Sequence, residues 1–192
     1  MEKTLEIAYA EKASGNEFFR QGQLEEASKA YSKALLAVNQ AFREAEDEVQ
    51  LKALVQEVQI PALLNLALCY LRLGTDVKNA VVHCTSVLQI EPGNIKALYR
   101  RAQAYLALQD FDLARQDLVT ALNLDPTNAS LKDLWTDLMR QLQAYQAKSK
   151  RIAQAAMQAE KKPSLRRELL WGLFRCCRRR MHEASLAANN GR

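Results

Sequence analysis

The chain has 192 residues but only six glycines and four prolines, too few turn formers for an all-β sandwich or barrel with a turn about every 8–12 residues. Helix-forming residue types dominate instead, so we predict an all-α fold. The net charge of +5 lies entirely in residues 163–192, with seven Arg and two Glu, because residues 1–162 hold 20 Lys+Arg and 20 Asp+Glu; this argues against a basic nucleic-acid-binding domain.

The N-terminus predicts no secretory signal, because its charged and apolar residues alternate without an apolar core segment. The run 169–174, taken as the longest strongly apolar run, is too short to span a bilayer. The four cysteines, Cys69, Cys84, Cys176 and Cys177, lack the spacing of a zinc site. We therefore expect a cytoplasmic protein in a reducing compartment, with no metal and no cofactor.

A 34-residue period runs through the chain. Pro92 and Pro126 are 34 residues apart, as are Ala80 and Ala114, and a 34-residue unit of two helices is the tetratricopeptide repeat. The predicted helix pairs are 2–21 with 24–45, 49–73 with 77–88, and 95–108 with 111–122, with turns at Gly22, at 74–76 and at 109–110. The small residues that would let paired helices approach closely are Gly15, Ala67 and Ala102 in the first helices, and Ala27, Ala34, Ala80, Ala114 and Ala121 in the second.

The spacing between the first and second repeats exceeds one period. Ala27 and Ala80 are 53 residues apart, which is 19 more than the repeat length. The excess, roughly 40–59, is helix-forming and charged, so we predict longer helices around this turn. Pro61 lies inside the predicted helix 49–73 and predicts a kink or a later helix start.

A capping helix is predicted over 128–162, because the last repeat leaves an apolar face that another element must cover. Its apolar residues recur at helical spacing: Leu131, Leu134, Trp135, Leu138, Leu142 and Tyr145. Beyond Tyr145 the pattern thins, so we expect the distal half to project into solvent. The predicted organisation is a repeat domain with its cap (1–145), a projecting helix end (146–162) and a basic amphipathic tail (163–192).

Five polar residues on the first helices of the repeats form the candidate binding site. Lys12 and Asn16 are one turn apart, as are Lys96 and Arg100, and Asn65 interrupts an apolar segment. Aligning the repeats by their small residues places all five in one groove. Such a set of cations and amides without an acidic member suits a pair of carboxylates.

The motifs around these residues resemble those of the tetratricopeptide domains of co-chaperones that bind heat-shock chaperones. The matching stretches are Lys12-Ala-Ser-Gly-Asn16, Asn65-Leu-Ala-Leu-Cys69 and Lys96-Ala-Leu-Tyr-Arg100, and all five carboxylate-clamp positions agree. The longer first spacing and the KALYRRAQAYLAL segment are most similar to the immunophilin type. The resemblance covers roughly residues 5–145.

The resemblance implies a right-handed superhelix of three repeats whose groove binds the C-terminal tails of cytosolic chaperones of the seventy- and ninety-kilodalton classes. A peptide ending in Glu-Glu-Val-Asp would place its terminal carboxylates against the five clamp residues. Phe19, Leu68 and Tyr99 are candidate contacts for its aliphatic residue. An alternative is a scaffold whose groove binds a non-chaperone peptide.

The sequence offers little that predicts an enzyme. His83 and His182 lack triad or ligand partners, and no phosphate-binding glycine loop is present. Immunophilin relatives often carry a prolyl-isomerase domain before the repeats, whereas here the repeats begin within the first residues. We expect a non-catalytic adaptor if the chain is complete; in a longer protein, activity could lie upstream.

The tail, 163–192, predicts a basic amphipathic helix with several open roles. One half of its helical wheel is mainly apolar and the other mainly basic, with Trp171, Phe174, Cys176 and Cys177 as candidate anchors. This pattern suits an anionic membrane surface, with acylation of the cysteine pair, or calmodulin. Packing against the cap, an unfolded segment, nuclear import and nucleic-acid binding are further interpretations, the last two the least favoured.

Overall fold

A computed structural model of the protein describes residues 2–44 and 47–161. The predicted tail, with Trp171, Phe174, Cys176 and Cys177, lies outside these residues. Helices form almost the whole described part, and no strand occurs there. In chain order they are α1 (Glu2–Arg20), α2 (Leu24–Glu44), α3 (Glu48–Leu54), a π-helix (Val55–Gln59), α4 (Ile60–Leu73), α5 (Val77–Ile90), α6 (Ile95–Leu108), α7 (Phe111–Leu124) and α8 (Ala129–Lys161). The predicted all-α fold of paired helices is confirmed.

The turns between paired helices lie where the sequence predicts them. Gly22 and Gly74 have φ of 77° and 66°, in the left-handed region that glycine enters without a Cβ clash. Gln109 has φ 64° at the end of α6, so this turn uses the same conformation without glycine. The residue before α6, Asn94, accepts a hydrogen bond from the Ala97 N–H at 3.0 Å and thereby caps the helix.

The first helix of the second repeat is interrupted by a π-turn. The α-helical pattern stops at Leu54, and the Ile60 N–H donates to the Val55 carbonyl, five residues back. Pro61 follows in the first turn of α4. Proline has no N–H and its ring collides with the carbonyl four residues before it in an α-helix, so the wider turn accommodates it. The predicted long helices are observed, and the predicted break near Pro61 takes the form of this π-turn.

The stretch Glu48–Leu73 has enough length and apolar composition to cross a membrane, with a mean hydropathy of 1.4 over its most apolar window. Unlike the uninterrupted run 169–174, this stretch contains polar and charged residues, among them Glu57 and Asn65. Half of that window is buried in the structure. Leu63, Leu64 and Leu66 are all at most 7% exposed, so packing in the repeat core accounts for the composition.

Small residues lie where helices approach most closely. Gly15 is buried, and the predicted alanines are fully buried: Ala27, Ala34, Ala67, Ala80, Ala102, Ala114 and Ala121. An ion pair ties the third repeat together, because Arg101 donates twice to the Asp117 carboxylate, at 2.7 Å each. Arg101 also donates to Thr85 at 3.2 Å. The Arg101 side chain therefore links α6, on which it lies, to α5 and α7.

Residues Met1–Leu142 form one compact unit, and the first part of α8 belongs to it. Leu131 and Leu138 are at most 1% exposed, and Trp135 packs against the same cluster. These contacts confirm the predicted cap. Tyr145, the last apolar residue of the predicted cap, is 50% exposed, and every side chain from 143 to 158 is exposed.

Candidate peptide-binding groove

The five predicted site residues lie on three helices of the compact unit. Lys12 and Asn16 are on α1, Asn65 is on α4, and Lys96 and Arg100 are on α6. The structure distributes them over three places: Asn16 and Asn65 share a hydrogen-bonded network, Lys96 and Arg100 line a cavity, and Lys12 contacts the π-helix.

The network joins Asn16, Asn65 and Tyr31, a residue of α2. The Tyr31 hydroxyl donates to Asn16 Oδ1 at 2.8 Å, and Asn65 Nδ2 donates to the same oxygen at 3.2 Å. Asn65 Nδ2 also lies 3.3 Å from the Tyr31 hydroxyl. The partner that Asn65 requires within its apolar segment is therefore this pair of side chains.

Tyr31 is a central member of the site that sequence reasoning missed. It is fully buried, and burial raises the pKa of its hydroxyl. Its ring lies directly against Gly15, where a Cβ would come within 2.7 Å of ring carbons. Tyr31 lies on the second helix of its repeat, so the rule that first helices line the groove did not select it.

Lys12 is engaged by the π-turn. Its Nζ donates to the main-chain carbonyl of Glu57 at 2.9 Å. In an uninterrupted α-helix residue 61 would donate to that carbonyl, but Pro61 has no N–H. The Glu57 carboxylate accepts a hydrogen bond from Tyr9 at 2.9 Å, and Lys12 Nζ lies 5.8 Å from the centre of the Tyr9 ring. This local cluster positions the Lys12 ammonium group.

A cavity of about 680 Å³ lies between α4, α6 and the start of α8. Lys96, Arg100, Leu68 and Tyr99 line it, together with Leu71, Arg72, Ile95, Gln103, Ala107, Asn128, Ser130 and Leu131. The structure thus brings two clamp residues and two of the three candidate groove contacts to one place. The lining residues include three cations and no carboxylate, which suits an anionic ligand with some apolar surface.

The guanidinium group of Arg100 is buried with an unmet hydrogen-bonding requirement. Its Nη1 is the one buried side-chain nitrogen or oxygen without a hydrogen-bond partner among the described residues. Burial lowers the pKa of the guanidinium, and the positive charge of Arg72 acts in the same direction. Arg100 lies near enough to Tyr31 for each to favour the charged form of the other, so the cavity adjoins the network.

Phe19, the third candidate contact, packs beside the cavity without lining it. It belongs to the apolar cluster around Tyr31 and Leu66. The Arg72 guanidinium carbon lies 4.7 Å from the centre of the Phe19 ring, within the range of a cation–π interaction. Sequence reasoning did not select Arg72. Its position two helical turns after Asn65, on the same face of α4, is the signal that could have identified it.

The cysteines of the compact unit are buried. Cys69 and Cys84 are fully buried, and burial raises the pKa of their thiols to about 11 and about 12. Both are therefore neutral, poorly reactive thiols near pH 7. Among the described residues, no group of three or more His, Cys, Asp or Glu side chains is arranged to hold a metal ion.

Comparisons with known proteins agree with the fold. A family model described as a tetratricopeptide repeat matches residues 75–142. The chain is 35% identical over 133 residues to the peptidyl-prolyl cis-trans isomerase FKBP4 of Bos taurus, covering 68% of this chain and 28% of FKBP4. The chain therefore spans less than a third of the length of this relative, and the repeat region is the part that aligns.

Solved structures of such repeats superpose on this chain. The C-terminal TPR-containing domain of a Plasmodium falciparum FK506-binding protein has a TM-score of 0.68 and 28% identity, over 76% of this chain and 95% of that domain. The first TPR of Spaghetti (RPAP3), bound to the HSP90 peptide SRMEEVD, has a TM-score of 0.57 and 25% identity, over 71% and 94%. The second TPR domain of human RPAP3, in complex with the HSP70 peptide SGPTIEEVD, has a TM-score of 0.56 and 25% identity, over 71% and 98%.

Proposed function

From the premise that the repeats of this chain form a tetratricopeptide-repeat domain, we propose that it is a non-catalytic co-chaperone adaptor. Its groove binds the acidic C-terminal peptide, of the Glu-Glu-Val-Asp type, of cytosolic chaperones of the seventy- and ninety-kilodalton classes. This function places the protein in the cytoplasm. The solved repeats bound to peptides ending in EEVD support the proposal, because they share this fold.

The observation that carries the proposal is the unpartnered, buried Nη1 of Arg100 in a cavity with cations and no carboxylate. A buried guanidinium nitrogen without a partner costs free energy, which a ligand carboxylate would recover through a charge-assisted hydrogen bond. Lys96 lies one turn before Arg100 and lines the same cavity, so the two cations can share one ligand carboxylate or bind two.

The remaining clamp residues supply donors for the second carboxylate. Asn16 accepts two hydrogen bonds through Oδ1, so its Nδ2 group is left to donate to the peptide. Lys12 would exchange the neutral carbonyl of Glu57 for a carboxylate, which is a stronger acceptor. In this assignment Asn65 orients Asn16 and contributes its own amide to the groove.

The test is calorimetric titration of the full chain, at low salt, with a free-acid peptide ending in Glu-Glu-Val-Asp. We expect the double variant Lys96→Ala with Arg100→Ala to lower the affinity at least about tenfold, because charge-assisted hydrogen bonds are worth about 1.5–3 kcal/mol each. The matched control is Lys78→Ala with Arg115→Ala, which removes the same charge outside the cavity. No binding by the wild type, or equal loss in both double variants, would sink the proposal.

A second peptide distinguishes the adaptor from the alternative scaffold. Amidation of the C-terminus removes the terminal carboxylate while keeping every side chain. We expect the amidated peptide to bind markedly more weakly than the free acid. Equal binding of both forms would favour a groove that recognises an internal, non-chaperone sequence.

A further inference from the structure

The cavity holds a cation that the five-residue clamp does not include. Arg72 lies seven residues after Asn65 on α4, on the same helix face as Asn65 and Leu68. No carboxylate lies within ion-pair distance of Arg72 among the described residues. Arg101, by contrast, is paired with Asp117 at 2.7 Å, and Arg20 with Glu17 at 2.5 Å, whereas Arg43 and Arg115 lie outside the cavity and also have no ion pair among the described residues.

The Arg72 guanidinium is held in place although it has no ionic partner. The Phe19 ring supports it at 4.7 Å, and this ring is packed in the apolar cluster around Tyr31. An aromatic face binds an arginine without neutralising it or occupying its N–H donors. The donors therefore remain available to a ligand that enters the cavity.

In the free protein, the positive charge of Arg72 disfavours the charged form of Arg100. Both line one cavity, and the charge of Arg72 adds to the burial that lowers the pKa of Arg100. Two cations near each other without a counter-ion repel, and the cation–π contact with Phe19 neutralises neither charge. An anion between or beside them would remove the repulsion, as expected of a ligand-binding position.

We propose that Arg72 is a specificity-determining residue of the groove, which binds a glutamate side chain upstream of the peptide C-terminus. This inference rests on the proposed function. Seven helical residues separate Asn65 and Arg72 by about 10.5 Å along α4. An extended peptide advances about 3.3 Å per residue, so a peptide that runs along α4, with its terminal carboxylate at Asn65, would bring its residue three places upstream to Arg72. In Glu-Glu-Val-Asp that residue is the first glutamate.

A double-mutant cycle tests the pair directly. The peptides are SRMEEVD and its variant with glutamine in place of the first glutamate, titrated at low salt against the full-length wild type and Arg72→Gln. We expect Arg72→Gln to weaken binding of SRMEEVD about fivefold and of the glutamine peptide less than twofold, because only the first presents a charge to residue 72. Arg115→Gln, the charge-matched control outside the cavity, should affect both peptides equally and weakly.

Each outcome separates this inference from the proposed function. If wild type binds neither peptide, both proposals fail. If wild type binds SRMEEVD but Arg72→Gln weakens both peptides alike or neither, the adaptor function stands and the role of Arg72 is overturned. Coupling with the second glutamate instead, measured with a peptide in which that residue is glutamine, overturns the assigned register.

Discussion

Gly15 is the residue at which a single methyl group would disturb both the packing and the site. A Cβ there would lie 2.7 Å from carbons of the fully buried Tyr31 ring, whose hydroxyl holds Asn16. Alanine would gain up to about 1 kcal/mol of helix propensity, but overpacking of a held ring costs about 1–3 kcal/mol. We expect Gly15→Ala to lower the free energy of unfolding by about 1–2 kcal/mol in urea denaturation.

Gly93 provides the matched control for this substitution. An added Cβ there would meet only Leu124 Cδ1, at 3.8 Å, which is an ordinary contact. Gly93→Ala should therefore change the free energy of unfolding by less than about 0.5 kcal/mol. Equal stability of the two variants would contradict the packing assigned to Gly15 and Tyr31.

Single residues also show what the sequence can and cannot predict. The charged and amide residues of the candidate site were predictable, because they recur at fixed offsets in a repeated unit. Tyr31 was not, because its role depends on which side chain of a facing helix fills the space beside Gly15. The contact of Lys12 with Glu57 was not predictable either, since it needs a carbonyl released by a proline on another helix.

At the scale of elements, the N-cap of α6 matters to the candidate site. This 14-residue helix carries both Lys96 and Arg100, and its cap stabilises the turn that contains Lys96. The Asn94 side chain accepts the Ala97 N–H at 3.0 Å, whereas Asp110, at the same position before α7, accepts no such bond. We expect Asn94→Ala to lower the free energy of unfolding by about 1 kcal/mol, and Asp110→Ala by distinctly less. Thermal denaturation followed by circular dichroism compares the two, and an equal loss would refute the cap.

Helix ends were predictable to within about two residues wherever a turn residue marks them. Gly22 and Gly74 have the left-handed conformation expected of such turns, and α1, α2 and α4 end beside them or begin after them. The segment around Pro61 was predictable only as a break. A kink, a later start and a π-turn all accommodate a proline, and the choice depends on packing against α1 and α2 rather than on local sequence.

At the scale of the whole molecule, charge separates into a neutral repeat region and a basic end. Residues 1–162 carry equal numbers of acidic and basic residues. The positive charge of the groove therefore results from the positions of its basic residues and not from an excess of basic residues in this region. Among the described residues, the cavity lining ends at Leu131 and the apolar cluster next to it ends at Met139. We therefore expect peptide binding to be separable from the role of residues 163–192.

We predict that deleting residues 163–192 leaves thermal unfolding and peptide affinity unchanged, because the described residues already supply a packed apolar core and the lining of the cavity. The same deletion should abolish association with vesicles of phosphatidylserine and phosphatidylcholine, because seven of the chain's arginines are removed.

A variant of the same length, with Arg175, Arg178 and Arg179 changed to glutamine, should partition into these vesicles about a hundredfold more weakly, at about 1 kcal/mol per basic residue. Vesicles of phosphatidylcholine alone, which lack the anionic lipid, should bind neither form. Vesicle binding that survives the deletion would refute the membrane role, and loss of cooperative unfolding would instead show that these residues pack against the repeats.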